Sequence, residues 1–241
     1  VQNLIRVLNR SGLEGEGFVL PGLAASHSVL SKLDRDLGVI LVRIGDFETQ
    51  ALLFSDGQVL ETFLFPWGTD DLIESMARSL RLPKISVEQI LSEIRTLELR
   101  PERAASKFQI KGGSLTRTFT QGQVVELLTD KLKTMLTKMQ KRLSASPNFF
   151  DSTSGIVMVG ALSRLDGFLE LAEGILNLPV RPGTIREVEL NTQIQLRLHH
   201  TTAVGLLRHG REKRLTQARP WPLPPWLKGV ERARRLVQEY F

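Results

Sequence analysis

The residues best placed for chemistry lie between Leu37 and Pro66, where three apolar runs are separated by two short turns. The first turn, Ile44–Glu48, contains a glycine beside two acidic residues. A buried strand that leads into a glycine turn and then a hairpin is one way to hold backbone amides against a phosphate. Such a site also needs a carboxylate near Mg²⁺ and a hydroxyl for a phosphate oxygen. This turn is therefore the candidate phosphate loop.

No motif typical of a hydrolase or a metalloenzyme is present in the sequence. G-x-S-x-G, H-E-x-x-H and Walker A patterns are all missing. The histidines lack the spacing of metal ligands, and two adjacent ones would point to opposite faces of a strand. We expect no catalytic residues and no metal site, with the histidines structural or exposed. They are His27, His199, His200 and His209.

The C-terminal sequence suggests adhesion to an anionic surface. In residues 226–241 a helical period places aromatic and aliphatic side chains on one face and basic ones on the other. This pattern is typical of helices that lie in a membrane interface. The preceding residues, 211–225, are basic and proline-rich and predict an extended linker. The predicted membrane-binding residues are Trp226, Leu227, Val230, Arg232, Arg235, Val237, Tyr240 and Phe241.

Binding by this helix would be modest and reversible. Each basic residue near an anionic leaflet contributes roughly 1 kcal/mol, whereas ordering the backbone costs about 1–2 kcal/mol per residue. Oligomerisation would strengthen the binding through avidity. Alternatively, the helix docks on the protein's own core or on a partner helix, although a proline-rich linker argues against docking on the core.

The elements that would position the candidate loop follow from hydrophobic periodicity and turn residues. An Asp-Gly pair predicts a tight hairpin between the second and third strands, and the β-then-α alternation implies an α/β lobe with a mixed sheet. Thr69 is the expected cap of the third helix. Strands are predicted at Gly17–Leu20, Gly38–Ile44, Thr49–Phe54, Gln58–Phe65, Gly155–Val159 and Pro179–Arg181. Helices are predicted at Gln2–Asn9, Gly22–Leu30, Asp70–Leu82, Ser86 to about Leu97, Gly122–Leu143, Asp166–Leu176 and Thr201–Arg208.

Composition narrows the class of partner. The 241 residues carry a net charge of +6 and no cysteine, so disulfides and thiolate metal sites are excluded. The positive charge suggests nucleic acid or anionic lipid as a partner. With a single tyrosine and few interleaved aromatic residues, a stacking platform for nucleic acid is not expected. The basic linker and tail favour the lipid, and the long helix 122–143 is expected to have a solvated basic face.

These motifs resemble a known family. The order of strand, glycine turn, strand, Asp-Gly, strand and Pro-x-Gly is similar to the second phosphate loop of the actin, Hsp70 and sugar-kinase ATPases. The flanking sequence is similar to the FtsA family of bacterial cell-division proteins, in the right order and over nearly the whole chain. The matching runs are Gly22–Ser26, Ser28–Leu30, Asp34–Val39, Gly155–Ala161 with Gly167, Leu171–Glu173, Leu178–Arg181 and Thr202–Leu207.

The resemblance implies an α/β fold: an actin-like (ribonuclease H-like) lobe with a smaller inserted subdomain and a C-terminal amphipathic helix. Family members carry a first phosphate loop and another subdomain upstream of the matching region. We therefore expect an excised fragment or the product of a truncated gene. The implied parts are the end of a first lobe (1–36), the second lobe and its returning helix (37–69 and 152–210), the inserted subdomain (70–151), the linker (211–225) and the membrane-targeting helix (226–241).

Alignment with the family's loop pattern implies a degenerate nucleotide site. Arg43 falls where the family has an aspartate, bulky residues replace two glycines, and Glu48 replaces the hydroxyl residue. Carboxylates facing phosphates at a few ångströms cost on the order of several kcal/mol at an effective dielectric near 20. We expect loss of ATP with Mg²⁺ and no hydrolysis. A retained nucleotide would contact Gly45, Thr49, Lys131, Gly160, Ala161 and Ser163; alternatively, Gly160 and Gly167 only permit a tight turn.

By the same resemblance, the chain is expected to be a non-enzymatic peripheral membrane tether for the tubulin-like protein FtsZ. Its place would be the division septum, on the cytoplasmic face of the inner membrane. The inserted subdomain would contact the FtsZ C-terminal tail, and the protein would self-associate. Two alternatives remain: an active actin-like ATPase with a rearranged loop, and an actin-like scaffold of a pilus or secretion assembly.

Overall fold

The computed structural model describes residues 2–13, 15, 17–112, 115–149, 154–186 and 200–216. The chain divides into a compact unit, Val1–Leu206, and a second unit, Leu207–Phe241. Of the second unit, only the C-terminal part of one helix is described. The amphipathic helix predicted at residues 226–241 lies outside the described residues and stays a prediction.

The described elements follow an α/β order that begins and ends with a helix. The strands are β1 (Val39–Ile44), β2 (Thr49–Ser55), β3 (Gln58–Phe65), β4 (Lys107–Gly112), β5 (Leu115–Thr120), β6 (Ile156–Gly160) and β7 (Val180–Pro182). The helices are α1 (Gln2–Arg10), α2 (Pro21–Val29), α3 (Lys32–Leu37), α4 (Thr69–Leu80), α5 (Lys84–Glu93), α6 (Pro101–Ala104), α7 (Gln121–Leu143), α8 (Phe168–Leu176) and α9 (Thr201–Thr216).

A mixed five-stranded sheet organises the first unit, with the strand order β3-β2-β1-β6-β7. Strands β1, β2 and β3 form the predicted antiparallel meander, and its hairpin turns at Asp56 and Gly57, both with positive φ. Strands β1, β6 and β7 are parallel, so their carboxyl ends lie at one edge. The prediction of a mixed sheet is confirmed. Strands β4 and β5 form a separate antiparallel hairpin.

Both faces of β1 are buried, which explains why its sequence is almost continuously apolar. Ile40, Val42 and Ile44 belong to the larger core, together with apolar residues of α4, α7 and α8. Val39 and Leu41 belong to a smaller core that includes residues of α2. The sheet is thus the central layer between two sets of helices, the arrangement that a mixed α/β lobe requires.

The segment Gly17–Leu20, predicted as a strand, is not one in the structure. Leu20 has extended torsion angles (φ −59°, ψ 135°), because the residue before a proline is excluded from helical conformation. Pro21 then begins α2 directly. The residue before the proline is thus extended, but residues 17–20 form no strand within the described part of the chain.

Several helix boundaries also differ from the predictions. Gly68, not Thr69, precedes α4, because the Asp71 carboxylate accepts the Gly68 N–H at 2.9 Å. The same helix ends at Leu80, where Arg81 takes a left-handed conformation. Helix α5 starts immediately after Pro83 and ends at Glu93, earlier than predicted.

The first six residues of the predicted linker, Arg211–Thr216, are helical and continue α9. They contain neither proline nor glycine. Lys213 and Arg214 lie in the last turn, where their positive charges stabilise the helix by interacting with the negative end of its dipole. The extended conformation predicted for 211–216 is therefore wrong. The remainder, 217–225, lies outside the described residues.

Candidate functional site

The candidate site is a cavity of about 260 Å³ at the carboxyl ends of β1 and β6. These strands are parallel neighbours, and Ile44 at the end of β1 pairs with Gly160 at the end of β6. In open α/β sheets, ligands bind at this edge. The lining residues are Arg43, Ile44, Gly45, Asp46, Val159, Gly160, Ala161, Arg164, Thr201 and Thr202.

Three of the six predicted nucleotide residues line this cavity: Gly45, Gly160 and Ala161. Thr49 does not, because its side chain is fully buried and its hydroxyl donates to the carbonyl oxygen of Trp67 at 3.0 Å. Ser163 is turned toward its own loop, where the hydroxyl donates to the Gly160 carbonyl at 2.8 Å. Lys131 lies on α7 and is not among the lining residues.

The polar groups of the β1–β2 turn are used largely within the protein. The Gly45 N–H donates to the Glu48 carbonyl at 2.9 Å, which closes the turn. The Glu48 carboxylate accepts a hydrogen bond from the Gln50 amide at 2.6 Å. Gln50 in turn accepts the Gly22 N–H at 2.5 Å, so this chain of contacts ties the turn to the start of α2.

The turn is also fixed to the amino end of α4. The Asp46 carboxylate accepts the Thr69 hydroxyl at 3.1 Å, and the Asp46 carbonyl accepts the Asp70 N–H at 2.8 Å. The Gly45 carbonyl accepts the Thr69 N–H at 2.9 Å. Asp46 is exposed and Phe47 is 75% exposed, so these two side chains lie at the surface of the turn.

Packing against β1 explains why residue 160 is a glycine. Its φ is +127°, and a Cβ added there would lie 2.2 Å from the carbonyl oxygen of Ile44. Only glycine permits this backbone to approach β1 so closely. The tight-turn interpretation of Gly160 is therefore sufficient without any ligand.

Two arginines in the cavity lining were not recognised as a pair from sequence. Arg43 comes from β1 and Arg164 from the turn after β6, and the fold brings them to the same cavity. Neither guanidinium makes a hydrogen bond or an ion pair with any residue that the structure describes. Only the position of Arg43 in the turn pattern was a signal; nothing in the local sequence links it to Arg164.

A second cavity of about 350 Å³ adjoins the first and is mostly apolar. Both cavities include Ala161 and Arg164 among their lining residues. The second one lies among α4, the end of α5, α7 and the turn that follows β6. Its apolar lining residues are Leu72, Ile73, Leu91, Ile94, Leu128, Leu162 and Leu165.

Within the described ranges, no group of three or more His, Cys, Asp or Glu residues is arranged to hold a metal ion. None of the helices in that part of the chain is long and apolar enough to cross a bilayer.

Comparison with known proteins gives one consistent relationship. No protein-family model matches the chain. The cell division protein FtsA of Pseudomonas aeruginosa is 31% identical over 216 residues, which are 88% of this chain and 51% of that protein. FtsA of Escherichia coli is 24% identical over 230 residues, which are 89% of this chain and 53% of that protein. The chain therefore spans about half the length of the curated relatives it matches.

The fold is that of actin-like proteins. MreB5 of Spiroplasma citri bound to ADP superposes with a TM-score of 0.71 at 13% identity, over 90% of this chain and 66% of that one. A type IV pilus biogenesis complex, PilM–PilN, gives a TM-score of 0.55 at 16% identity, over 75% and 46%. At these identities the likeness concerns the fold alone, and the predicted actin-like α/β class is confirmed.

Proposed function

We propose that this chain, which belongs to the FtsA family of cell-division proteins, acts as a peripheral membrane tether for FtsZ and not as an ATPase. The family membership supports a role at the division site. The tether, the partner and the altered nucleotide site are inferences from the residues, and each has its own support.

Loss of ATP binding with Mg²⁺ is supported by the internal bonding of the β1–β2 turn. The Gly45 N–H and the Thr49 hydroxyl, two groups that would contact phosphates, both donate to carbonyl groups of the protein. Arg43 stands at the end of β1, where Mg²⁺ binding calls for a carboxylate. The residues present do not fit a triphosphate with its metal, so we assign no hydrolytic step to this chain.

Membrane attachment is assigned to residues 226–241, on the cytoplasmic face of the inner membrane. Trp226, Val230, Val237 and Phe241 would enter the interface, and Arg232 and Arg235 would face the anionic headgroups. Because one such helix binds only modestly, self-association of the protein would strengthen attachment through avidity.

The first test is co-sedimentation with vesicles that contain anionic lipid. Deletion of 226–241 should leave the protein in the supernatant. Replacing Arg232 and Arg235 together by alanine should weaken binding by roughly 2 kcal/mol, or about 30-fold, since each basic residue contributes roughly 1 kcal/mol. A matched control replaces Lys133 and Lys138, which are exposed on α7, and should leave binding unchanged. Equal sedimentation of the deletion variant would refute the tether.

The second test concerns the partner. Binding of the FtsZ C-terminal tail is assigned to residues 70–151 of this chain, the segment inserted between β3 and β6. A pull-down with a peptide of that tail should retain the chain, and a scrambled peptide of the same composition should not. Equal retention by both peptides would remove FtsZ from the proposal but leave membrane binding intact.

An active ATPase remains the competing function, because a cavity persists at the sheet edge where nucleotides bind in related folds. Equilibrium titration with a fluorescent ATP analogue distinguishes the two. Binding that needs Mg²⁺ and saturates at low concentration would favour the ATPase. A pilus or secretion scaffold is disfavoured by the basic C-terminal amphipathic sequence.

A further inference from the structure

We propose that two copies of this chain associate through β3, which pairs with β3 of a second copy as antiparallel strands across a twofold axis. The proposed function includes self-association, and this inference, which rests on it, names the surface that would be used. The two lobes would then share one continuous sheet.

The outer edge of β3 is available for pairing. This strand is the last one of the sheet, and no other described strand pairs with its outer side. The Leu64 carbonyl points outward, because it accepts a hydrogen bond from Arg142, which lies on α7 and not on β2. Backbone groups along a strand alternate in direction, so the N–H and C=O groups of Thr62 also point outward. Such an unpaired edge is a template for another strand.

The exposed face of this edge is apolar and suits pairing with itself. Leu60 and Leu64 are 49% and 47% exposed, and Thr62 between them is exposed too. Phe63 and Phe65 lie on the opposite face of the strand and are buried in the core. Pairing centred on Thr62 would place Leu60 of each copy opposite Leu64 of the other, where the two side chains would contact each other. The two Thr62 residues would exchange their backbone hydrogen bonds.

Charge complementarity favours a second copy as the partner. In the same register, Glu61 of one copy would lie opposite Phe63 of the other, on the core side of the strand. The Arg142 guanidinium lies 5.9 Å from the centre of the Phe63 ring. Glu61 of each copy would therefore approach Arg142 of the other, and the twofold axis gives this contact twice. The Glu61 carboxylate accepts the Ser146 hydroxyl within its own copy and retains lone pairs for an arginine.

The contact is small, so we expect the association to be weak. Stable interfaces bury about 1,000 Å² or more in total, which a single short pair of strands does not reach. The register between β2 and β3 also shifts at Leu53 and Phe54, which confines regular pairing to the part of β3 beyond the shift. Weak pairing suits a protein whose membrane contacts add through avidity.

Sedimentation velocity of the whole chain over a range of concentrations tests this pairing. The unmodified chain should pass from monomer to dimer as its concentration rises. Thr62→Pro should stay monomeric, because proline removes the outward N–H group, and such a change is tolerated on the open side of an edge strand. Thermal unfolding confirms that this variant, like those below, is folded.

Charge reversal tests the register. Glu61→Lys and Arg142→Glu should each weaken dimerisation by at least about tenfold, since each brings like charges together twice across the interface. A matched control is Arg78→Glu, which changes an exposed arginine paired with Glu74 at 2.6 Å on α4 and should leave dimerisation unchanged. A mixture of Glu61→Lys and Arg142→Glu should dimerise again, because the mixed dimer contains one reversed and one original ion pair.

A mixture that stays monomeric would overturn the proposed register. A dimer that survives Thr62→Pro and both charge reversals would place self-association elsewhere and overturn the surface. A chain that is monomeric at every concentration would overturn the pairing of copies and leave the edge to a strand of another protein. In that last case vesicle co-sedimentation still decides the tether proposal by itself, so the two failures are distinguishable.

Discussion

At the scale of single residues, the candidate loop is explained by what each glycine approaches. Gly45 accommodates the Arg43 guanidinium, and Gly160 accommodates the Ile44 carbonyl. A glycine pattern alone cannot distinguish these contacts from contacts with a phosphate, because all three require a missing side chain. The alignment predicted that Arg43 stands at a critical position, but its contact with Gly45 depends on a side-chain conformation that sequence does not specify.

Gly160→Ala should lower the free energy of unfolding by about 2–4 kcal/mol, because the new methyl group would meet backbone 2.2 Å away at a φ that L residues avoid. The matched control is Gly174→Ala in α8, where the added Cβ would have no atom within 4 Å apart from the backbone of its own helix and its chain neighbours. It should stabilise the helix by up to about 1 kcal/mol. Urea denaturation measures both. Equal stability of the two variants would contradict the packing explanation.

Asp34 carries a prediction about pH. Its carboxylate accepts the Ser31 N–H and an Arg181 N–H, each at 2.7 Å. Burial by itself raises the pKa of Asp34, but the Ser31 hydrogen bonds and the Arg181 charge outweigh it and hold the pKa below its ordinary value of 3.8. Because the folded-state pKa is lowered, the associated stability is present above pH 3.8 and is lost as pH falls through the lower folded value.

Asp34→Asn should therefore lower the free energy of unfolding by about 1 kcal/mol at pH 7, the scale of a helix cap with a partly exposed ion pair. The deficit relative to the unmodified chain should shrink as pH falls below 3.8. Asp36→Asn is the control, since that exposed carboxylate makes no hydrogen bond with a described residue. A deficit that does not change between pH 7 and pH 3 would contradict the assignment.

At the scale of elements, hydrophobic periodicity predicted the meander and the long helix α7 well, because both are local patterns with clear turn signals. It failed where tertiary contacts decide the outcome. Residues 17–20, predicted as a strand, form none among the described residues, and α9 continues through Thr216. The basic face of α7 was predicted to be solvated, yet one of its members has a structural role.

That residue is Arg142, which connects the end of α7 to β3. Its guanidinium donates to the Leu64 carbonyl at 2.8 Å and lies 5.9 Å from the ring centre of Phe63 and 5.2 Å from that of Phe65. Arg142→Ala should lower the free energy of unfolding by about 1 kcal/mol, since the arginine and its hydrogen bond are exposed to solvent. Lys138→Ala, on the same helix and exposed, should change stability by less than about 0.5 kcal/mol. Chemical denaturation measures both variants. Equal losses of unfolding free energy would show that Arg142, like Lys138, is only a solvated surface residue.

At the scale of the whole molecule, the chain contains a folded actin-like lobe and a C-terminal sequence whose pattern suits membrane contact. The order of motifs predicted the fold class, and the similarity to FtsA proteins supports it. The resemblance placed Gly45, Gly160 and Ala161 in one site, but it gave no role to Arg164, which the parallel pairing of β1 with β6 brings to the same cavity as Arg43. The hydrophobic periodicity within one strand does not indicate which distant strand it pairs with.

Reconstitution with vesicles tests whether this chain links the FtsZ tail to a membrane. A fluorescent peptide of the FtsZ C-terminal tail is mixed with anionic vesicles and either the whole chain or the variant lacking 226–241, and peptide sedimenting with the vesicles is measured. We expect the whole chain to bring the peptide down with the vesicles and the variant to leave it in solution. A peptide that stays in solution with the whole chain, or that sediments equally with the variant, would contradict it.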